Sequence, residues 1–382
     1  MTAAWSYVDT LPKLAAFIAA VRREPRLGVD TEAASFHRYR DRIYLLQISS
    51  ASQTALIDPL AVTDLAPMGA LLSDPQVEKV FHDADYDLRV LDRDYGFRAV
   101  RLFDTRIAAQ LAGEPAIGLA ALLDKYGGGI KLDKEHQKAD WSLRPLTPPM
   151  LAYAAADTQH LLTLRDALEQ RLTQLGRLTW AQEEFKQLES LRWTGPAAGA
   201  GGGDDETYLR LKGAKGLPPR SLAALRLLHR WRETVAERED KAPFRIIGND
   251  ALLGVSRALP ASPPNLSRIR ELPSSLARRH GAALLDAVAR AKALPDGELP
   301  RLERRARPQK DAGFDTRVEK LKEARNRVAT ELGLEAGVLC GRTTLEAVVR
   351  ARPVDRAALE RVIELRRWQV AALGDALLEA LR

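Results

Sequence analysis

The chain has 382 residues, enough for two or three domains, with 46% hydrophobic and 29% charged side chains and a net charge of +7. No apolar run reaches the roughly 18 residues of a membrane span, and the N-terminus lacks the basic start and long apolar core of a signal peptide. Cys340 is the only cysteine, which excludes an internal disulfide and a cysteine zinc cluster and fits a cytoplasmic protein.

Residues 11–23 have the spacing of a short amphipathic helix. Residues 26–32 (Arg-Leu-Gly-Val-Asp-Thr-Glu), 42–48 and 54–57 predict three strands, the last ended by Asp58-Pro59. Their short connections suggest an antiparallel meander. A helix around 64–72 and a buried strand at 79–82 follow. The Leu88/Leu91 spacing predicts a helix from Tyr86 to Tyr95. Leu102-Phe103-Asp104 reads as a short strand, with helices near 105–112 and 117–126. The sum is a mixed sheet flanked by helices, an α/β domain. Thr147 predicts an N-cap, with Pro148 and Pro149 in the first turn, and helical pattern then persists to about Leu191.

Residues 195–205, Gly-Pro-Ala-Ala-Gly-Ala-Gly-Gly-Gly-Asp-Asp, form a flexible linker. Few contacts are expected to cross it. Residues 206–294 are helical, with Pro-rich breaks at 260–264 and 273. The basic stretch Arg304–Lys310 marks a second boundary, within a linker spanning 295–314. Residues 315–382 form a second helical unit. Both units have a long basic helix containing a tryptophan, Trp231 and Trp368, which suggests a diverged copy.

The charge is unevenly spread. Residues 1–195 carry 23 Lys+Arg and 26 Asp+Glu, a net of −3, which leaves +10 for residues 196–382. A basic C-terminal half of this kind holds phosphate backbones by counterion release, while an acidic N-terminal half suits metal ions.

Three acidic features stand out. Asp30 and Glu32 are two apart on a strand and share a face. Tyr153 and Asp157 are four apart on a helix, about one turn from each other. His82-Asp83-Ala84-Asp85-Tyr86-Asp87 lies at a strand-to-helix junction, where any of its three aspartates could serve as a helix cap. Carboxylates on a central strand are costly to bury unless paired or metal-bound. Hard cations such as Mg²⁺ and Mn²⁺ want such ligands, and two of them can drive phosphodiester hydrolysis. That chemistry needs about four carboxylates from separate elements. His82 reads as a packed strand residue, because these metals prefer oxygen. Gly127-Gly128-Gly129 is a turn and not a phosphate loop, since no Lys-Ser/Thr follows.

The order Asp30-x-Glu32, an aspartate after His82, and Tyr153-x-x-x-Asp157 resembles the DEDDy branch of the 3′→5′ exonuclease superfamily. Within that branch, two further runs resemble the ribonuclease D group. One is Leu102-Phe103-Asp104-Thr105-Arg106. The other is Leu132-x-Lys134-x-x-Gln137-x-Ala139-Asp140-Trp141-x-x-Arg144-Pro145-Leu146, with Ala139 where the group usually has Ser. Residues 206–294 resemble the HRDC domain, through Leu225, Trp231-Arg232, Ala236, Asp240, Pro243, Ile246, Leu252, Leu272-Pro273 and His280.

The resemblance implies a ribonuclease H-like exonuclease domain over 1–194, an HRDC domain over 206–294 and a second HRDC-like domain over 315–382. It places the third carboxylate five residues after the histidine, which selects Asp87. It implies that Asp30, Glu32, Asp87 and Asp157 hold two divalent ions, Mg²⁺ or Mn²⁺, and that Tyr153 orients the attacking water. Lys134, Gln137, Trp141 and Arg144 become candidate substrate contacts, with Trp141, Pro145 and Leu146 alternatively locking the loop before the catalytic helix. The implied activity is removal of nucleotides from RNA 3′ ends, with tRNA precursors as substrate, by a monomer whose basic helical domains grip nucleic acid. Two rival readings are a repair-type DNA exonuclease and a non-catalytic nucleic-acid-binding protein.

Overall fold

The structure is a computed structural model that describes residues 5–132, 135–195, 206–301 and 313–382. The N-terminal part contains strands β1 (Trp5–Val8), β2 (Arg26–Ala33), β3 (Ile43–Ser49), β4 (Thr54–Ile57), β5 (Glu78–Phe81) and β6 (Leu102–Asp104). They form one sheet in the order β1-β4-β3-β2-β5-β6. Its helices are α1 (Leu11–Val21), α2 (Ala66–Ser73), α3 (Asp85–Tyr95), α4 (Thr105–Ala112), α5 (Leu119–Tyr126), α6 (Pro148–Gln159), α7 (Leu161–Gln174) and α8 (Leu178–Leu188).

The three strands expected for the meander lie side by side, and β3 pairs antiparallel with β4. Every residue of β3 and β4 is buried, as befits central strands. The sheet is mixed, because β5 runs parallel to β2, and β6 parallel to β5. The edge strand β1, parallel to β4, has no counterpart in the sequence reading. It is four residues long and half exposed, so its pattern carries little periodic signal.

Pairing of β2 with β5 covers only Arg26 to Gly28. The carboxyl-terminal end of β2, with Asp30 and Glu32, therefore runs on past the last residue of β5. Ligands in open α/β sheets gather at such strand ends.

Helix α6 starts as its sequence dictates. Thr147 caps it by accepting from the Met150 amide at 3.4 Å, and Pro148 and Pro149 fill the first turn. The long helix expected from Pro148 to Leu191 is in fact three. It breaks at His160 and again at Leu175–Arg177, where Gly176 adopts φ +67°. That left-handed turn suits glycine.

Two helical modules follow. The first comprises α9 (Pro219–Glu239), α10 (Pro243–Ile246), α11 (Asn249–Ala258), α12 (Pro263–Ser267) and α13 (Ser274–Ala293). The second comprises α14 (Phe314–Leu332), α15 (Ala336–Leu339), α16 (Arg342–Ala351), α17 (Arg356–Glu360) and α18 (Arg367–Leu381). Both follow one plan: long, one turn, medium, one turn, long. The two tryptophans are not equivalent in that plan, for Trp231 lies on the first helix of its module and Trp368 on the last. The basic stretch Arg304–Lys310 lies outside the described residues.

The chain divides into two compact units, and they do not follow chain order. One joins Met1–Glu32, Ile43–Trp193 and Arg307–Arg382; the other joins Ala33–Arg42 with Thr194–Ala306. In the first unit one apolar core runs from the sheet and its helices into the second module, from Phe314 to Leu377. Trp180 of α8 stacks on Trp368, with ring centres 4.9 Å apart and planes 20° off parallel. Glu183 accepts from the amides of Arg367 and Trp368 at 2.8 and 3.0 Å, filling the open end of α18. Glu184 accepts from the Trp368 indole at 2.7 Å. The C-terminal turns of α4 and α14 meet so closely that a Cβ on Gly113 would lie 2.5 Å from the Gly333 carbonyl oxygen. The expectation of few contacts across the linker fails for this module, because its docking is hydrophobic and long-range and leaves no local trace.

In the second unit, the segment 33–42 between β2 and β3 packs on the first module. Phe36 meets Phe244 edge to face at 6.3 Å, and Arg245 donates to the Phe36 carbonyl at 2.6 Å. Tyr39 joins the module's core, and Asp240 accepts from its amide at 3.3 Å.

Candidate active site

Strand alternation places Gly28, Asp30 and Glu32 on one face of β2. Helix α6 crosses that face closely. A Cβ on Gly28 would lie 2.8 Å from the Thr158 carbonyl oxygen and 3.3 Å from Leu161 Cβ. The approach is fixed from the other side by a chain of buried hydroxyls. Thr158 meets Ser49 at 2.7 Å, and Ser49 meets Thr54 at 2.8 Å.

The result brings Asp157 onto the strand carboxylates. One oxygen each of Asp30, Glu32 and Asp157 lies within 4.8 Å of the others. Burial and mutual repulsion push Asp30, Glu32 and Asp87 well above the usual carboxylate range. Burial pushes Asp157 up to about 7, against a hydrogen bond from Tyr153 that lowers it. The charge of each group disfavours ionisation of its neighbours, so a bound cation is the natural way to keep all four ionised.

Asp87 stands just outside this trio. It is buried in the first turn of α3, and one of its oxygens accepts from the Thr31 hydroxyl. Its charge still raises Glu32, and that of Asp30 raises Asp87. The other two aspartates of the acidic stretch point elsewhere. Asp83 pairs with Arg106, and Asp85 with Arg89 at 2.7 Å, both half exposed. Asp104 braces the whole turn. It accepts from the amides of Asp83 (3.3 Å), Ala84 (2.7 Å), Arg106 (2.8 Å) and Ile107 (3.0 Å). His82 is turned away, its Nδ1 2.9 Å from the Thr105 hydroxyl.

Four carboxylates offering only oxygen, three of them partly buried and Asp87 buried, in a mutually repelling cluster, fit hard divalent ions. The fit rests on the donor set and on the 4.8 Å grouping.

Tyr153 lies one turn before Asp157 and hydrogen-bonds it. Burial first, then the charges of Asp157, Glu32 and Asp30, push its phenol far above the usual tyrosine range. In the metal-free fold this favours the protonated, hydrogen-bond-donating form of the phenol.

Comparison with known proteins now decides the family. The 3'-5' exonuclease family matches residues 5–173, and the HRDC domain matches 221–288 and 315–381. Ribonuclease D of Gluconacetobacter diazotrophicus is 36% identical over 297 residues, 77% of this chain and 74% of that one. The chain belongs to the ribonuclease D family.

Ribonuclease D of Escherichia coli K12 is 33% identical over 78% of this chain and 77% of its own. The crystal structure of Escherichia coli RNase D, described as an exoribonuclease involved in structured RNA processing, aligns with a TM-score of 0.71 at 29% identity over 99% of this chain and 98% of that one. The catalytic core of RRP6 from Trypanosoma brucei aligns at 0.65, with 31% identity over 77% and 81%. As a ribonuclease D, the chain is a 3′→5′ exoribonuclease that hydrolyses phosphodiester bonds in nucleic acid and works with divalent metal ions. No helix among the described residues is long and apolar enough to cross a membrane.

The other candidate residues divide three ways. Lys134 lies outside the described residues, and Gln137 is exposed on the loop before α6. Trp141 is 1% exposed and packs against Tyr153 with ring centres 6.1 Å apart. A side chain so buried supports the tyrosine and cannot face a substrate. Arg144 is also held within the protein. It binds Asp58 at 2.6 and 2.8 Å and donates to the carbonyls of Tyr44, Trp141 and Leu143 at 2.7–2.8 Å. Its fork locks the loop onto the sheet, which corrects its reading as a substrate contact. Beside Tyr153 and Asp157 opens a cavity of about 320 Å³, lined also by Lys131, Glu135 and His136.

Sequence reasoning overlooked Thr31, Gly28 and Asp104. The glycine had a readable signal, because an isolated glycine in a strand marks close backbone approach. Thr31 had none, since alternation puts it on the face opposite Asp30 and Glu32.

Proposed function

We propose that this enzyme trims the 3′ ends of structured RNA precursors, tRNA precursors among them, with two Mg²⁺ or Mn²⁺ ions held by Asp30, Glu32, Asp87 and Asp157. The observation that carries this reading is the convergence of Asp30 and Glu32 of β2 with Asp157 of α6 within 4.8 Å, with Asp87 of α3 near enough to raise Glu32 and with the Tyr153 phenol hydrogen-bonded to Asp157. Divalent ions bound there supply a water acidified to react at neutral pH and compensate charge on the departing 3′ oxygen. Asp30, Glu32 and Asp157 hold the ionic cluster; Asp87 extends it towards α3. Tyr153 donates to the attacking water or to a phosphate oxygen and so fixes the line of attack. Trp141 packs on the Tyr153 ring and limits its swing.

The 3′-terminal nucleotide fits the cavity beside Tyr153, where Lys131 meets phosphate and His136 meets a base or ribose. The two helical modules, on the basic half of the chain, hold the body of the RNA, and the enzyme acts as a cytoplasmic monomer.

The test is 3′-labelled RNA and DNA strands of one sequence, each incubated with protein and Mg²⁺, Mn²⁺ or EDTA. Stepwise shortening of RNA with either metal, its loss in EDTA, and weaker action on DNA are expected. Equal or faster loss of DNA would replace this reading by that of a DNA exonuclease. No shortening of either strand would leave a binding protein.

A further inference from the structure

Asp30 and Glu32 flank a residue whose side chain faces the other way. Thr31 is 8% exposed, and its hydroxyl donates to one oxygen of Asp87. Asp87 thus approaches the site from the far face of β2, around the strand end left open where β5 stops at Phe81. The backbone of that approach is fixed by Asp104, whose four amide hydrogen bonds hold the turn through Asp83 and Ala84. The Asp87 carboxylate itself accepts from its own backbone amide and from the Thr31 hydroxyl, the one side-chain partner seen for it among the described residues. Asp87 also stands apart from the three carboxylates grouped within 4.8 Å.

We propose that Thr31 is a positioning residue that sets the affinity of the cation held on the Asp87 side of the cluster. With one oxygen held by the hydroxyl, the other is presented to the ion in a fixed direction. Outer partners of this kind orient metal ligands and are worth about 10- to 100-fold in affinity. The trio does not depend on this contact, so the first ion is held independently of it. The proposal rests on the reading that four carboxylates bind two divalent ions.

The test is calorimetric titration of Mn²⁺ into the metal-free full-length protein, as wild type, Thr31→Val and Thr31→Ser. Two binding events are expected for wild type. Thr31→Val keeps the shape and removes the hydroxyl. It should weaken one event about 10-fold and leave the other within about twofold. The Mn²⁺ concentration for half-maximal RNA cleavage should rise by the same factor, with kcat largely recovered at saturating metal. Thr31→Ser, which keeps the hydroxyl, should recover the lost affinity. If Thr31→Val does not fold, Thr31→Ala against Thr31→Ser repeats the comparison. Unchanged binding in Thr31→Val, an equal loss in both events, or no recovery by Thr31→Ser overturns the positioning role. A wild type that takes up no Mn²⁺ overturns the carboxylate site itself, and that result is separate from any effect at Thr31.

Discussion

Gly28 and Thr158 lie so close that a β-carbon on the glycine would stand 2.8 Å from the threonine carbonyl oxygen. That contact sets how near α6 comes to β2, and hence how near Asp157 comes to Asp30 and Glu32. Gly28→Ala should push α6 outward by a few tenths of an ångström. Overpacking of this kind costs about 1–3 kcal/mol. Turnover should fall roughly 10-fold or more, because misplacement by even ~1 Å can cost 100-fold. Melting and steady-state kinetics together check this: a lower Tm with normal kcat would mean that α6 moves without carrying Asp157.

The carboxylates should differ sharply among themselves. Asp30→Ala and Asp157→Ala should lower turnover by orders of magnitude while circular dichroism stays native. Asp87→Asn should be nearly inactive. Asp83→Asn and Asp85→Asn should keep much of the activity, because those side chains are half exposed and paired with Arg106 and Arg89. An inactive Asp85→Asn with an active Asp87→Asn would reverse the assignment.

Stability of the metal-free protein should depend on pH with a definite sign. Asp157 titrates at about 7 in the fold, against its ordinary value of 3.8, and Asp30, Glu32 and Asp87 are also raised. Between the unfolded and folded values the native state holds more protons, so stability falls as pH rises from about 4 to about 7. Scanning calorimetry in EDTA should show Tm dropping over that window. Asp157→Asn should flatten the drop and raise Tm at pH 8, and added Mn²⁺ should restore the wild type. A Tm that rises from pH 5 to pH 8 in EDTA would contradict the buried cluster.

The second helical module should be needed for the stability of the exonuclease part, whereas the Gly-rich linker alone suggested a clean cut. Ending the chain near Gly195 removes the partners of Trp180, Glu183 and Glu184 and uncovers the shared apolar core. Trp368→Ala should cost about 3–5 kcal/mol, since Trp368 is 4% exposed. The truncated chain should aggregate or melt well below the full one. If it melts as the full chain does and cleaves short strands normally, the docking is dispensable.

Local rules determined the parts of this site that repeat along the chain. Asp30 and Glu32 share a face because strand side chains alternate, and Tyr153 meets Asp157 because a helix turns in 3.6 residues. Thr147-Pro148-Pro149 started α6 where a cap and prolines belong. These signals span three to five residues, so one sequence is enough to read them. The closeness of α6 to Gly28, the Thr31 bond to Asp87, the turning of Arg144 to Asp58 and the stacking of Trp180 on Trp368 join residues 56 to 188 positions apart. Such contacts are selected by burial and shape across the folded core, which has no period along the chain. A guanidinium that locks a loop looks the same in sequence as one that waits for phosphate. Only the tertiary structure, by putting a buried carboxylate and three carbonyls within reach of Arg144, decided between them.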